Sequence, residues 1–195
     1  MPMILEGLVT TTDVAGKMHV AAMGPHVCEE AVQQGVLKQL SLLPFRTSQT
    51  AENLLNIPEG VFHLVDDVLL LANIVTHSLS MPPACRAADE IHGWVLADAC
   101  RAYEFRVEQS DRESEREHHV AAVVAVHDQR PFIGFNRAKH AVVEAAILVT
   151  RMHLVGADNI QQQLKELAVL VHKTGGRREH EAWNCIESYV HDAIG

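Results

Sequence analysis

The first half of the chain alternates between β-branched runs and turn residues. Ile4 to Thr12 and Met18 to Met23 are rich in Val, Thr, Ile and Leu, and Asp13 and Gly16 lie between them, as a hairpin turn requires. Val36 to Leu43 is an apolar run stopped by Pro44, and Gly60 to Val65 is short and β-branched. Residues 51–56 and 67–77 read as short helices with polar starts, and Asp66 is the favoured N-cap of the second. Met81-Pro82-Pro83 is a break. From Ala99 to Val107 the pattern alternates: Tyr103, Phe105 and Val107 point one way, Glu104, Arg106 and Glu108 the other, which predicts a half-buried strand. His119 to His127 predicts a second strand with a continuous Val/Ala core, and the charged stretch Asp111–Glu117 between them reads as a solvated hairpin tip.

The period then becomes helical. Asn136 to Val155 is nearly free of helix breakers, with Asn136 as N-cap. Ile160, Leu164, Leu167, Ala168 and Val171 make one apolar helix face, ended by Gly175-Gly176. Ala182, Ile186, Tyr189, Val190 and Ala193 line a final helix. Strands followed by helices predict an α+β protein, a sheet or barrel with a C-terminal helical cap.

Composition narrows the function classes. The 195 residues suit one domain with an appendage, and 48% apolar content excludes disorder. The 16 bases and 25 acids give a net charge of −9, which argues against nucleic-acid or anionic-membrane partners. Cys28, Cys85, Cys100 and Cys185 form no CxxC pair and read as reduced thiols. The N-terminal residues lack a basic segment with a long apolar run, and the most apolar stretch, Val61 to Val75, carries His63, Asp66 and Asp67. The expectation is a soluble, cytoplasmic protein.

Thirteen histidines invite a metal reading. Only His118 and His119 are close in sequence, and neighbours on a strand face opposite ways. No pair sits at i, i+4 in a helix, so dispersed histidines and no metal site are expected. GxGxxG, GxxxxGK[ST], HExxH and GxSxG are all absent.

Charge distribution says more than charge total. Residues 31–51 contain no acid but hold Lys38 and Arg46, and residues 129–143 contain no acid but hold Arg130, Arg137 and Lys139. A third basic window, with Lys173, Arg177 and Arg178, fits a helix C-terminus. In the first window, Arg46 can grip two phosphate oxygens, while Ser48 and Thr50 add hydroxyls beside a predicted helix start. The plainer reading is a helix cap with a surface Arg. In the second, Arg137, His140, Glu144 and Arg151 form one helix stripe, read either as a solvated face or as a face toward a ligand cleft or subunit partner.

Six segments carry a resemblance: Glu6–Thr11, Ala22–Pro25, Phe45–Leu54, Gly60–Asp67, Asp98–Arg101 and, most specifically, Arg130–Ala146. They resemble domain-of-unknown-function family 447. The resemblance implies an α+β fold: an FMN-binding split β-barrel over residues 1–135, with a helical extension, 136–195, packed on it. It implies FMN as cofactor, a homodimer with the flavin near the subunit interface, and a link to tetrahydromethanopterin-dependent one-carbon metabolism. Carried onto this sequence, the flavin phosphate falls to Arg46, Ser48 and Thr50, with Asn53 beside them. Backbone groups of Ala22, Met23 and Gly24 would line the ring or ribityl chain, and Asn136, Arg137, Lys139 and His140 are further candidates. The expected activity is FMN-dependent hydride or electron transfer, with a non-catalytic flavin carrier as the alternative. No residue stands out as acid or base; His140 is the choice because its charge can switch near neutral pH.

Overall fold

The computed structural model describes residues 2–194. Asp13 organises the first turn. Its Oδ1 accepts N–H bonds from Ala15 and Lys17, both at 2.9 Å, and Gly16 supplies φ +82°. The turn joins β2 (Leu8–Thr12) to β3 (Met18–Ala22). The same pairing continues past the strand ends: in both β2/β3 and β1 (Pro2–Ile4)/β4 (His26–Cys28), residue i faces residue 30 − i. Leu5 N–H donates to Pro25 O at 3.2 Å and Met23 N–H to Gly7 O at 3.1 Å, bridging the two halves. One long ribbon therefore bends around residues 5–7 and 23–25. The bend brings Gly7 so close to β6 (Glu59–Leu64) that a Cβ there would lie 2.3 Å from His63 O.

This bent ribbon closes the sheet. The antiparallel order is β1-β4-β5-β10-β9-β6-β2-β3, so both ends of the order belong to the ribbon. Between them run β5 (Gln39–Leu42), β10 (His118–Asp128), β9 (Arg101–Asp111) and β6. The weakest join is β4 to β5, where His26 opposite Ser41 is the one paired position. Val9, Leu40, Leu42, Leu54, Phe62, Tyr103 and Phe105 fill the interior. Each large apolar side chain buried here stabilises the sheet by about 1.5–3 kcal/mol.

The outer face of β2, β6 and β9 is covered too. A hairpin of β7 (Cys85–Ala87) and β8 (Trp94–Leu96) lies over β2 and β6. Thr10 Oγ1 donates to Trp94 O at 2.6 Å, and Val61, Ile91, Val95 and Ala102 form a second apolar cluster. The half-buried strand predicted around Ala99–Val107 is corrected accordingly: Glu104, on the supposed solvent face, is completely buried.

The chain divides into two compact units, Met1–Val65 with Pro83–Pro131, and Asp66–Pro82 with Phe132–Gly195. The first is the sheet unit, with α1 (Glu29–Gln33) and α2 (Gln49–Asn56). The second is helical: α3 (Val68–Val75), α4 (Arg137–Thr150), α5 (Ala157–Thr174) and α6 (Arg177–Ile194). The helix predicted over 67–77 thus packs with the C-terminal helices, around Leu71, Val142, Ile160, Trp183 and Ile186. Its cap is corrected by one residue. Asp67 Oδ1 accepts from Leu69 N–H at 3.1 Å and Leu70 N–H at 3.2 Å, whereas Asp66 is buried with its carboxylate 3.6 Å from Lys139 Nζ. Among the described residues, no helix is long and apolar enough to cross a membrane.

Candidate functional site

The Phe45–Asn53 segment lies wholly within the sheet unit. β5 ends at Leu42 and Pro44 stops the strand. The chain does not leave the sheet there, because the β9–β10 tip holds it. Glu117 N–H donates to Pro44 O at 3.0 Å, Arg46 N–H to Glu115 O at 2.9 Å, and Phe45 bridges Arg116. Arg116 also places its guanidinium 3.8 Å above the Phe45 ring and donates to Leu43 O at 3.1 Å.

The tip itself is corrected from a solvated turn to an anchored one. Glu117 is fully buried; its Oε1 accepts from Arg112 Nε at 2.7 Å and its Oε2 meets His119 Nε2 at 3.0 Å. His119 Nδ1 in turn meets Ser110 Oγ at 2.8 Å. Burial holds the His119 pKa below the usual imidazole range, although Glu117 opposes that shift. The result is a closed polar network with paired charges, directly behind the Arg46 backbone.

Arg46 is exposed and forms no ion pair among the described residues. Just after it, Ser48 is the N-cap of α2, its Oγ accepting from Ala51 N–H at 3.2 Å. The helix-cap reading is therefore correct as far as it goes. It leaves the N–H groups of Thr47, Gln49 and Thr50 without an acceptor among the described residues. An exposed guanidinium beside a loop and a helix start whose exposed Thr47 and Gln49 present unpaired N–H donors is a ready site for an anionic oxygen cluster. Thr50 and Asn53 sit on the buried face of α2. Asn53 Nδ2 donates to Thr11 Oγ1 at 2.9 Å, and its Oδ1 accepts from Gln49 Nε2 at 2.9 Å, so this amide ties α2 to β2.

Ala22, Met23 and Gly24 form the outgoing half of the ribbon bend. Met23 packs on the same apolar cluster as Leu54 of α2, which brings the two segments together. Its N–H is taken by Gly7 O, and Gly24 sits where a Cβ would lie 2.5 Å from Ile4 Cγ2.

The second group lies in the helical unit. Asn136 caps α4 as predicted, accepting from Ala138 N–H at 2.8 Å and Lys139 N–H at 3.1 Å while its Nδ2 donates to Thr174 O at 3.1 Å. Its polar atoms are thus occupied. Lys139 faces Asp66, and His140 lies 3.9 Å from Glu144 along the helix. Arg137 is exposed.

Sequence reasoning missed Gln49, whose side chain holds Asn53, and the buried pair Glu117 and His119. The signal for the pair was an acid and a histidine two apart at a strand entry, which periodicity reads as surface.

Comparisons with known proteins come from three directions. Residues 5–131 match the N-terminal domain, and residues 136–188 the C-terminal part, of the family described as protein of unknown function DUF447. No curated protein matches the chain. Among solved structures, the chain is similar to an FMN-bound DUF447 protein from Methanosarcina mazei, with TM-score 0.81, 20% identity, and 95% of this chain and 94% of that one covered. It is also similar to the styrene monooxygenase flavin reductase from Pseudomonas putida S12, at TM-score 0.53 and 14% identity, covering 66% and 82% of the two chains. A third is a putative flavin reductase with a split barrel domain from Shewanella frigidimarina, at TM-score 0.51 and 9% identity, covering 64% and 66%. These likenesses show the fold, a split β-barrel with a C-terminal helical extension. With the two domain matches together spanning most of its length, the chain belongs to the DUF447 family.

Proposed function

We propose that this protein binds FMN and uses it in hydride or electron transfer. One observation carries the reading: Arg46 and the unpaired N–H groups at the start of α2 form an anion cradle in the fold that an FMN-bound family member shares. Arg46 takes two phosphate oxygens, and the N–H groups of Thr47 and Gln49 with the Ser48 hydroxyl take the rest, while Thr50 and Asn53 on the buried face of α2 hold the helix start in place. The Arg112–Glu117–His119 network keeps the Arg46 backbone in place, so the loop loses little freedom on binding. The main-chain carbonyls at Ala22–Gly24, beside the shared Met23–Leu54 cluster, offer acceptors to the ring or ribityl chain. Arg137, Lys139, Asn136 and His140 remain candidates from the helical unit.

When bound, the flavin supplies the hydride or electron chemistry, while the chain supplies phosphate grip and orientation. His140, exposed and 3.9 Å from Glu144, is the candidate acid or base in this reading. The alternative is a carrier that holds FMN without turning over a substrate.

The protein also acts as a homodimer in this reading. Phe132, Ile133 and Phe135 are 53%, 80% and 104% exposed, an apolar cluster that a second copy would cover. The link to tetrahydromethanopterin metabolism and the cytoplasmic location rest on the family resemblance and the composition. The decisive experiment is anaerobic. FMN-loaded protein is mixed with NADH or NADPH and flavin bleaching is followed. Bleaching faster than for free FMN supports a reductase; bound flavin that no donor reduces supports the carrier.

A further inference from the structure

We propose that Asp89, Glu104 and His127 form a binding site for one divalent transition metal of the zinc class, separate from the residues assigned to FMN. Glu104 on β9 and His127 on β10 project from the same face of adjacent strands, since Ala125 opposes Glu104 and His127 opposes Ala102. Asp89 reaches them from the segment that covers this face. One ligand atom from each of the three lies within 4.8 Å of the other two. His127 Nε2 is 2.7 Å from Glu104 Oε1, and Nδ1 is 3.8 Å from Asp89 Oδ2. Glu104 and Asp89 lie against opposite nitrogens of the His127 ring, and since one nitrogen binds the ion, the exposed Asp89 side chain swings to meet it at the ~2.0–2.2 Å bond length.

The surrounding bonds aim these atoms. Glu104 is fully buried, and its two oxygens accept from Asp89 N–H at 2.7 Å and Glu90 N–H at 2.8 Å. Arg86 Nη1 holds Asp89 Oδ1 at 2.8 Å, which leaves Oδ2 facing His127. Such outer bonds fix ligand orientation at metal sites. Charge points the same way. Two carboxylates and one guanidinium leave the cluster negative, and a buried carboxylate strongly favours an adjacent cation. The neighbouring His63 does not compete, because both of its nitrogens are used, by Leu8 O at 3.3 Å and Leu96 N–H at 3.0 Å. A carboxylate–carboxylate–imidazole set suits Zn²⁺. Bound there, the ion pins the segment over the sheet. Local spacing could not reveal it, since the three ligands come from three separate elements.

The test uses the full chain, stripped with EDTA and titrated with Zn²⁺ by calorimetry. One ion per chain is expected, with a raised melting temperature. The exposed Asp89→Asn and the His127→Gln variants should each weaken that affinity at least about tenfold. His180→Ala, on α6 next to His172, should leave it unchanged. Variant folding is checked by circular dichroism. Absence of saturable binding overturns the proposal, as does equal affinity in the wild type and the folded Asp89→Asn protein.

Discussion

His63 makes acid sensitivity of the sheet unit a quantitative matter. The ring is completely buried between β2 and β8. Leu96 N–H points at Nε2, so the single ring proton sits on Nδ1, facing Leu8 O. Protonation would set a second N–H against the Leu96 donor in a fully buried site. Burial lowers its pKa from 6.5 to about 4, opposed by the bond to Leu8 and aided, least of the three, by the nearby His127. Because the folded value is depressed, its stabilisation is present above pH 6.5 and is lost as pH falls toward 4. Linkage over that interval amounts to about 3 kcal/mol in full, of which about 2 kcal/mol is lost between pH 7 and pH ~5. The perturbation is His63→Gln, whose amide can keep both backbone bonds but does not titrate. Urea unfolding followed by circular dichroism at a series of pH values gives the slope. Carboxylates and His119 contribute alike to both proteins and cancel. The wild type should lose about 2 kcal/mol more than the variant over this range. Equal losses would refute the reasoning, whatever the absolute stability of the variant.

Other perturbations test other parts of the account. Asn53→Ala removes the tie between α2 and β2 and should cost about 1–3 kcal/mol in thermal or urea melts. Gly7→Ala drives a methyl group into the His63 carbonyl and should destabilise by about 1–3 kcal/mol or more, read by the same melts. Glu117→Gln removes a buried carboxylate facing Arg112 and His119; FMN affinity should fall by roughly tenfold as the Arg46 loop loosens, while Glu113→Gln at the exposed tip should not change it. Trp183 buries an indole N–H that meets no acceptor among the described residues, so Trp183→Phe should cost under about 1.5 kcal/mol in a melt.

Much of the fold was legible because local signals agreed with it. The Asp13–Gly16 turn, the Asn136 cap and the apolar faces of α5 and α6 follow from side chains within a few residues of each other. What failed was non-local. Glu104 alternates with Tyr103 and Phe105 as a surface residue should, and no period reveals that residues 83–99 cover it. The Asp111–Glu117 tip reads as solvated from its charges, yet Glu117 is buried because Pro44–Arg46 pairs with it from far along the chain. β1 and β4 are continuations of the first hairpin across a bend, and the glycine that permits the bend was visible without its purpose. Adjacent aspartates at 66 and 67 offer two equivalent caps, and packing chooses between them. For the candidate site, residue types at Arg46 and Ser48 were readable, whereas the clamp behind them was not.

The central claim is that Arg46 and the start of α2 hold the phosphate of FMN. It is tested most directly by titrating purified protein and its Arg46→Ala variant with FMN, following quenching of flavin fluorescence. The account predicts saturable binding, one FMN per chain, and an affinity reduced about 10- to 150-fold in the variant, the equivalent of a charged hydrogen-bond pair of about 1.5–3 kcal/mol. A wild type that binds no FMN, or a folded Arg46→Ala protein that binds it equally well, would contradict it.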